Sequence, residues 1–165
     1  MSFGHGLGKN PLIKIILKKI ETQLKTEFTI VQGNKMFLDP GDSLDLSING
    51  VYGELDTKII KENIQEGDIV IDVGANIGYY TLIFAQLVGK TGKVFAFEPE
   101  PENLKILKKN VEINNFNNII VEQKIISDQC GKMKLFISDS GIVGHRIQQK
   151  ENFKNFIEVE SLTLD

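Results

Sequence analysis

The chain has no tryptophan, one cysteine, two histidines and four prolines, and Arg146 is the only arginine among its 19 basic residues. Each shortage removes a class of function. A single cysteine cannot form an internal disulfide. Cys130, His5 and His145 cannot supply the four ligands of a Cys/His zinc site, so no metal centre of that kind is expected. The expected compartment is reducing, and the expected location cytoplasmic. With lysine as nearly the sole cation and a net charge of −3, the chain lacks the concentrated basic footprint of a nucleic-acid binder, so nucleic acid is not expected as a partner. No apolar run approaches the roughly 18 residues of a membrane span. The apolar stretch from Pro11 to Ile20 is broken by Lys14, Lys18 and Lys19 and is followed by no small-residue cleavage site, so it lacks the layout of a secretory signal and none is expected.

What is present is the balance of an ordinary globular domain: 165 residues, 41% hydrophobic and 25% charged, with room for one domain. Ile13, Ile16, Leu17, Ile20 and Leu24 recur at helical spacing, which predicts an amphipathic helix from about Pro11 to Lys25. A stripe packed on the domain and a basic helix lying on an anionic membrane give the same pattern, and both readings stand for residues 11–25. Phe28–Val31 and Lys35–Leu38 around Gln32-Gly33-Asn34 predict a short hairpin with the glycine or the asparagine at positive φ. Glu54–Asn63 reads as a helix with Ile59, Ile60 and Ile64 inward.

From Ile69 the pattern becomes parallel α/β. Ile69-Val70-Ile71 is an unbroken apolar strand, expected to be buried on both faces. Gly74 to Gly78 makes a turn, and a helix apolar almost all round runs from Tyr79 to about Val88. A second strand, Lys93–Phe97, ends in Glu98-Pro99, and Pro101 opens a helix with Leu104, Leu107 and Val111 inward. A third strand is expected from about Ile119 to Ile126. Beyond it, Met133, Leu135 and Ile137, and then Ile157 and Val159, alternate with polar residues, as in an antiparallel pair with one solvated face. Residues 138–156 between them read as a loop. The expected division is an extension over 1–50 and a partial cofactor-binding domain over 51–165.

The glycine-rich turn departs from the dinucleotide fingerprint. Asn76 stands where the second glycine would admit a pyrophosphate, and Asp72 at the strand end would repel one. This disfavours an NAD-dependent oxidoreductase. An acid, two glycines and Asn76 at the expected N-cap suit a ligand carrying an ammonium, a carboxylate and an adenosine, which is S-adenosylmethionine. Glu98 at the next strand end is placed to accept hydrogen bonds from ribose hydroxyls, and the helix N-terminus to face the methionine carboxylate. A second reading of Asp72 is structural, as an acceptor for backbone N–H groups of the turn. For a general base the chain offers His145, in the loop beside Arg146, and Cys130, near Asp128; a solvated histidine and an incidental thiol are their plainer readings. No catalytic residue is assigned.

Asp72-Val73-Gly74-Ala75-Asn76-Ile77-Gly78-Tyr79-Tyr80-Thr81, then Val94-Phe95-Ala96-Phe97-Glu98-Pro99, then Ser127-Asp128 followed by Gly131, resembles the FkbM family of class I S-adenosylmethionine-dependent methyltransferases over about Val51 to Asp165. The resemblance implies a Rossmann-like methyltransferase fold and O-methylation of a sugar or secondary-metabolite hydroxyl, with a small molecule or glycan as acceptor. Carried over by motif, Asp72, Gly74, Asn76 and Gly78 surround the methionine portion, with Ala75 in the same turn. Glu98, followed by Pro99, holds the ribose, and Ser127-Asp128 lie against the adenine. Tyr52 and Glu54 match a Tyr-Glu element of that family, interrupted here by Gly53. The chain stops where such proteins begin the helix leading to their fourth core strand, so a truncated chain with one open sheet edge is expected, which offers a route to self-association. A non-catalytic assembly module is the alternative reading.

Overall fold

The computed structural model describes residues 28–137 and 155–165. The amphipathic segment of residues 11–25 and the pair His145-Arg146 lie outside the described residues.

A two-residue turn, Gln32-Gly33, joins β1 (Thr29–Val31) to antiparallel β2 (Asn34–Met36). Gln32 and Gly33 take φ of 50° and 83°, the paired positive values of a turn whose twist matches that of its strands. Asn34, an alternative for that role, is instead the first residue of β2. A short helix α1 (Leu46–Asn49) follows, then α2 (Glu54–Asn63). In α2 the inward residues are Thr57, which is buried, and the half-buried Ile60, with Ile64 just beyond the helix end. Ile59, expected inward, is 48% exposed, because it projects on the same side as Leu55, four residues earlier and also exposed, away from the core.

The central unit runs β3 (Ile69–Val73), α3 (Tyr79–Val88), β4 (Lys93–Phe97), α4 (Pro101–Ile113) and β5 (Ile119–Glu122). The strands form a parallel sheet in the order β3-β4-β5. Side chains alternate across it. Val70 and Asp72 of β3, with Val94 and Ala96 of β4, face the layer of α3 and α4, where Ala85 and Val88 pack on Val94, and Leu104 and Leu107 on Ala96 and Ala75. Val31, Met36, Leu44 and Leu46 from the N-terminal segment share one buried cluster with Ile77, Tyr79, Leu82 and Ile83, so the hairpin packs directly on α3 and the turn before it. On the opposite face Ile69, Ile71 and Val73 are exposed. The sequence reading expected β3 to be buried on both faces; here one face is uncovered, because among the described residues the helices pack on the other face only, while β3 lies at the edge of its sheet, in keeping with the expected open edge.

The expected strand Ile119–Ile126 is divided. β5 ends at Glu122, whose carbonyl accepts the N–H of Glu98. After Gln123-Lys124 the chain leaves the first sheet, and β6 (Ile125–Ile126) pairs in parallel with β8 (Asn155–Leu162) in a second sheet. β7 (Gly131–Ile137) pairs antiparallel with β8, with Met133 opposite Val159 and Leu135 opposite Ile157. Leu135, Val159 and Ile125 close a small core there, and the outward alternation is the one that the sequence displays.

Candidate cofactor-binding site

The turn between β3 and α3 lies at the carboxyl ends of the parallel strands, where ligands bind in open α/β sheets. Three consecutive N–H groups of the turn are held by the end of β4. The Phe97 carbonyl accepts Gly74 and Ala75 at 2.9 and 3.0 Å, and Glu98 Oε2 accepts Asn76 at 2.7 Å. The other Glu98 oxygen accepts the N–H of Glu100 at 2.9 Å. Gly78 N–H closes the turn onto Ala75 O at 2.9 Å.

Two glycines have different reasons to be there. Gly78, with φ of 96°, has Leu107 Cδ1 only 2.6 Å from where a Cβ would be. Gly74, with φ of 77°, faces open space at the same position, so its backbone is free to be approached.

Asn76 is not the helix cap. It sits in the left-handed region with φ of 51°, its Oδ1 accepts the adjacent Ile77 N–H at 2.7 Å, and the N-cap of α3 is Gly78. The helix starts at Tyr79, as the sequence reading has it, and only the identity of its cap differs. Its first N–H groups still lack intrahelical partners and carry the positive end of the dipole.

The two strand-end carboxylates are both buried, Asp72 at 8% exposure and Glu98 at 5%. Burial pushes the Asp72 carboxyl above its ordinary range, and the Thr81 hydroxyl, donating to Oδ2 at 2.5 Å, draws it partly back. The partner given for Asp72 is thus a side chain of α3, where the structural reading had expected backbone N–H groups of the turn. Glu98 is also pushed up, by burial first; the N–H groups of Glu100 and Asn76 act against this, and the nearby Glu100 carboxylate adds to it. Glu100 itself caps α4, accepting Asn103 N–H at 2.7 Å.

The other expected residues are more dispersed. Pro99 follows Glu98, and its carbonyl accepts Gln123 Nε2 at 3.3 Å. Ser127 and Asp128 stand just after β6 in the second sheet; Ser127 donates from Oγ to Asp128 Oδ1 at 3.0 Å and from its N–H to Leu162 O. Exposed Cys130 has its thiol 3.7 Å from Thr163 Oγ1, and hydrogen bonding to Thr163, through its backbone first and then its hydroxyl, lowers the thiol pKa.

The sequence marks Tyr79 and Tyr80 as packing residues at the start of a buried helix, with one hydroxyl a candidate to face the cofactor; the partners of their hydroxyls were not legible. Tyr79 Oη and Thr57 Oγ1 are 3.0 Å apart, while Tyr80 Oη donates to Tyr52 O at 3.3 Å. Both tyrosine hydroxyls tie α3 to α2 and the residues just before it. The interposed Gly53 is the N-cap of α2 at φ of 56°, and a Cβ there would meet Tyr80 Oη at 2.5 Å. The signal available in the sequence was the Tyr79-Tyr80 pair at the first turn of a buried helix.

The sequence pattern of the family described as TRM5/TYW2 methyltransferase domain matches residues 50–159, about two thirds of the chain. The chain belongs to this family. It is a class I S-adenosylmethionine-dependent methyltransferase domain with the Rossmann-like fold of that class, and S-adenosylmethionine is its cofactor. The assignment to the FkbM family is thereby corrected. The motifs behind it, at residues 72–81 and 94–99, form the turn and strand end described above. The match over residues 50–159 spans both motifs and decides the family.

Over 59 residues the chain is 34% identical to protein-L-isoaspartate O-methyltransferase 1 of Archaeoglobus fulgidus, covering 36% of this chain and 27% of that protein. It is 38% identical over 53 residues to the tRNA (adenine(57)-N(1)/adenine(58)-N(1))-methyltransferase TrmI of Methanocaldococcus jannaschii, covering 32% of this chain and 19% of that one. In structure it is similar to Trm5b from Pyrococcus abyssi, at 22% identity and a TM-score of 0.46, over 61% of this chain and 32% of that one. The chain spans about a quarter of the length of the curated relatives it matches.

Proposed function

We propose that the chain holds S-adenosylmethionine over the Gly74–Gly78 turn and serves methyl transfer to a tRNA base. The observation that carries the cofactor part is the clamp at the end of β4, in which Phe97 O and Glu98 Oε2 fix three successive N–H groups of an open glycine turn. The residues fit the ligand. Asp72 and Glu98 supply carboxylates at adjacent strand ends for the ammonium and the ribose, and each oxygen bonded to a protein donor keeps a further acceptor site. Gly74 leaves one face of the turn open, Asn76 adds an amide, and Gly78 leads into the positive end of α3. Pro99 and the Gln123 side chain bonded to it lie on the path to Ser127 and Asp128, which take the adenine side in this proposal. Bound there, the cofactor supplies a methyl group on a sulfonium centre.

The acceptor reading rests on the family and on the relative named as a tRNA methyltransferase. A sugar or secondary-metabolite hydroxyl was inferred from the FkbM motifs and loses its support with them. The net charge of −3 had spoken against nucleic acid. A segment matching 19% of that tRNA enzyme, however, does not report the charge of the surface that meets RNA.

The same proposal takes residues 51–165 as the cofactor-binding unit, 1–50 as an extension, and a cytoplasmic location. No helix among the described residues is long and apolar enough to cross a membrane. Two measurements test the reading. S-adenosylhomocysteine raises the melting temperature while NAD does not, and radiolabelled methyl from the cofactor passes to tRNA in preference to an isoaspartyl peptide. Label on the peptide alone overturns the acceptor, and no thermal shift overturns the cofactor site.

A further inference from the structure

Asn110 lies on α4, fully buried, and its amide has three partners. Its Oδ1 accepts Phe37 N–H at 2.6 Å, and its Nδ2 donates to Phe37 O at 3.0 Å and to Ile77 O at 2.8 Å. One turn further along the helix Asn114 repeats the first two contacts on Lys35, accepting its N–H at 2.9 Å and donating to its carbonyl at 2.7 Å. The spacing explains the match. Four helical residues rise about 6 Å and two strand residues about 6.6 Å, so amides at 110 and 114 meet alternate residues of an extended chain as a neighbouring strand would. Asn110 does one thing that Asn114 does not. Its second N–H reaches the carbonyl of Ile77, inside the cofactor turn.

We infer that Asn110 is a positioning residue for the cofactor turn, fixing the Ile77 peptide against the backbone of Phe37 and so coupling the N-terminal hairpin to the site. Both hydrogens of its Nδ2 are committed, and no other residue type of similar size offers two donors and an acceptor there. Ile77 is itself fully buried, so water cannot readily take the place of the donor. In function the inference rests on the cofactor reading proposed above.

The test compares the unmodified chain with Asn110→Asp, Asn110→Ser and Asn114→Ser. Asn110→Asp keeps the acceptor for Phe37 and loses both donors. Asn110→Ser leaves room for water without the reach, and Asn114→Ser loosens the hairpin without touching the turn. Amide hydrogen exchange at Gly78 and Leu82 and titration with S-adenosylhomocysteine are the readouts. Both Asn110 variants are expected to exchange faster at these amides and to bind roughly tenfold more weakly, with Asn114→Ser close to the unmodified chain in both. Exchange in Asn110→Ser equal to that of the unmodified chain, or an equal change in Asn114→Ser, overturns the inference. So does loss of folding in both Asn110 variants, which marks a purely structural residue. Failure of the unmodified chain to bind S-adenosylhomocysteine overturns the cofactor reading instead, and exchange then still decides the role of Asn110.

Discussion

Thr81 Oγ1 on α3 donates to Asp72 Oδ2 at the end of β3 at 2.5 Å, and both side chains are buried. A carboxylate withdrawn from water in this way needs its donor, since a buried acceptor left without one costs about 1 to 3 kcal/mol. Thr81→Val, nearly the same shape without the hydroxyl, should therefore push the Asp72 carboxyl further up and weaken cofactor binding at neutral pH about tenfold, while Thr81→Ser restores most of it. Titration calorimetry across pH distinguishes this from a packing defect: the acid limb of binding should move to higher pH in the valine variant. An unmoved limb would separate Thr81 from the site.

The pH dependence of stability and of binding should have opposite signs. Asp72 and Glu98 both have pKa values raised by burial. The folded chain therefore holds protons that the unfolded chain releases. The stability from these two groups is fully present below their unfolded values of about 4 and is lost as pH rises through the raised folded values. The cofactor ammonium and ribose hydroxyls need the ionised carboxylates, so binding strengthens over that same rise. The thermal shift produced by S-adenosylhomocysteine should shrink as pH falls through the raised values of these carboxyls, and a shift constant with pH would exclude both carboxylates from the site.

Glu98→Gln should be nearly as damaging as Glu98→Ala. Each carboxylate oxygen accepts a backbone N–H, from Asn76 and from Glu100. A glutamine amide can replace only one of these acceptors and turns its own NH2 toward the other donor. Both variants should bind S-adenosylhomocysteine about ten to a hundred times more weakly, with the turn amides from Gly74 to Asn76 exchanging faster. A glutamine variant that binds normally would show that charge and clamp are both dispensable.

How much of this was legible beforehand differs by element. The bounds of α3, β4 and α4 coincide with the sequence reading, because apolar runs punctuated by Gly78, Gly89 and Pro101 are local signals. The departure of the chain after Glu122 was not legible. Ile119 to Ile126 is one run of strand-forming residues, and only the availability of β8 as a partner for Ile125 decides that it divides. Glu98 was found by its place at a strand end, but its hold on Asn76 is a contact between residues 22 apart in sequence. The pairing of Asn110 and Asn114 with Phe37 and Lys35 spans more than 70 residues. Before folding, those asparagines are polar residues on a helix with nothing to mark them.

The edge of β3, unpaired among the described residues, should drive association at high concentration. Antiparallel pairing of two copies about Ile71 sets Ile69 of one against Val73 of the other, so that the three exposed apolar side chains of each gain cross-strand apolar neighbours. Light scattering should show mass rising with concentration, and Ile71→Lys, which puts a charge in the centre of that contact, should suppress the rise. Equal behaviour of the two proteins would leave the edge without a role in association.

Gly74→Ala and Gly78→Ala separate binding from folding within a single turn. Both glycines have positive φ, 77° and 96°, so alanine costs about 1 kcal/mol of backbone strain at either position. At Gly78 the new methyl also meets Leu107 Cδ1 at 2.6 Å, in the cluster where Leu107 packs on Ala75 and Ala96. The overpacking adds about 1 to 3 kcal/mol, so a large fall in melting temperature is expected with or without ligand. At Gly74 the methyl meets nothing within 4 Å. It projects instead into the space where the cofactor is proposed to approach the backbone, and the expected result is a small loss of stability with a much larger loss of S-adenosylhomocysteine affinity. If Gly74→Ala binds as well as the unmodified chain, the open face of the turn is not where the ligand sits.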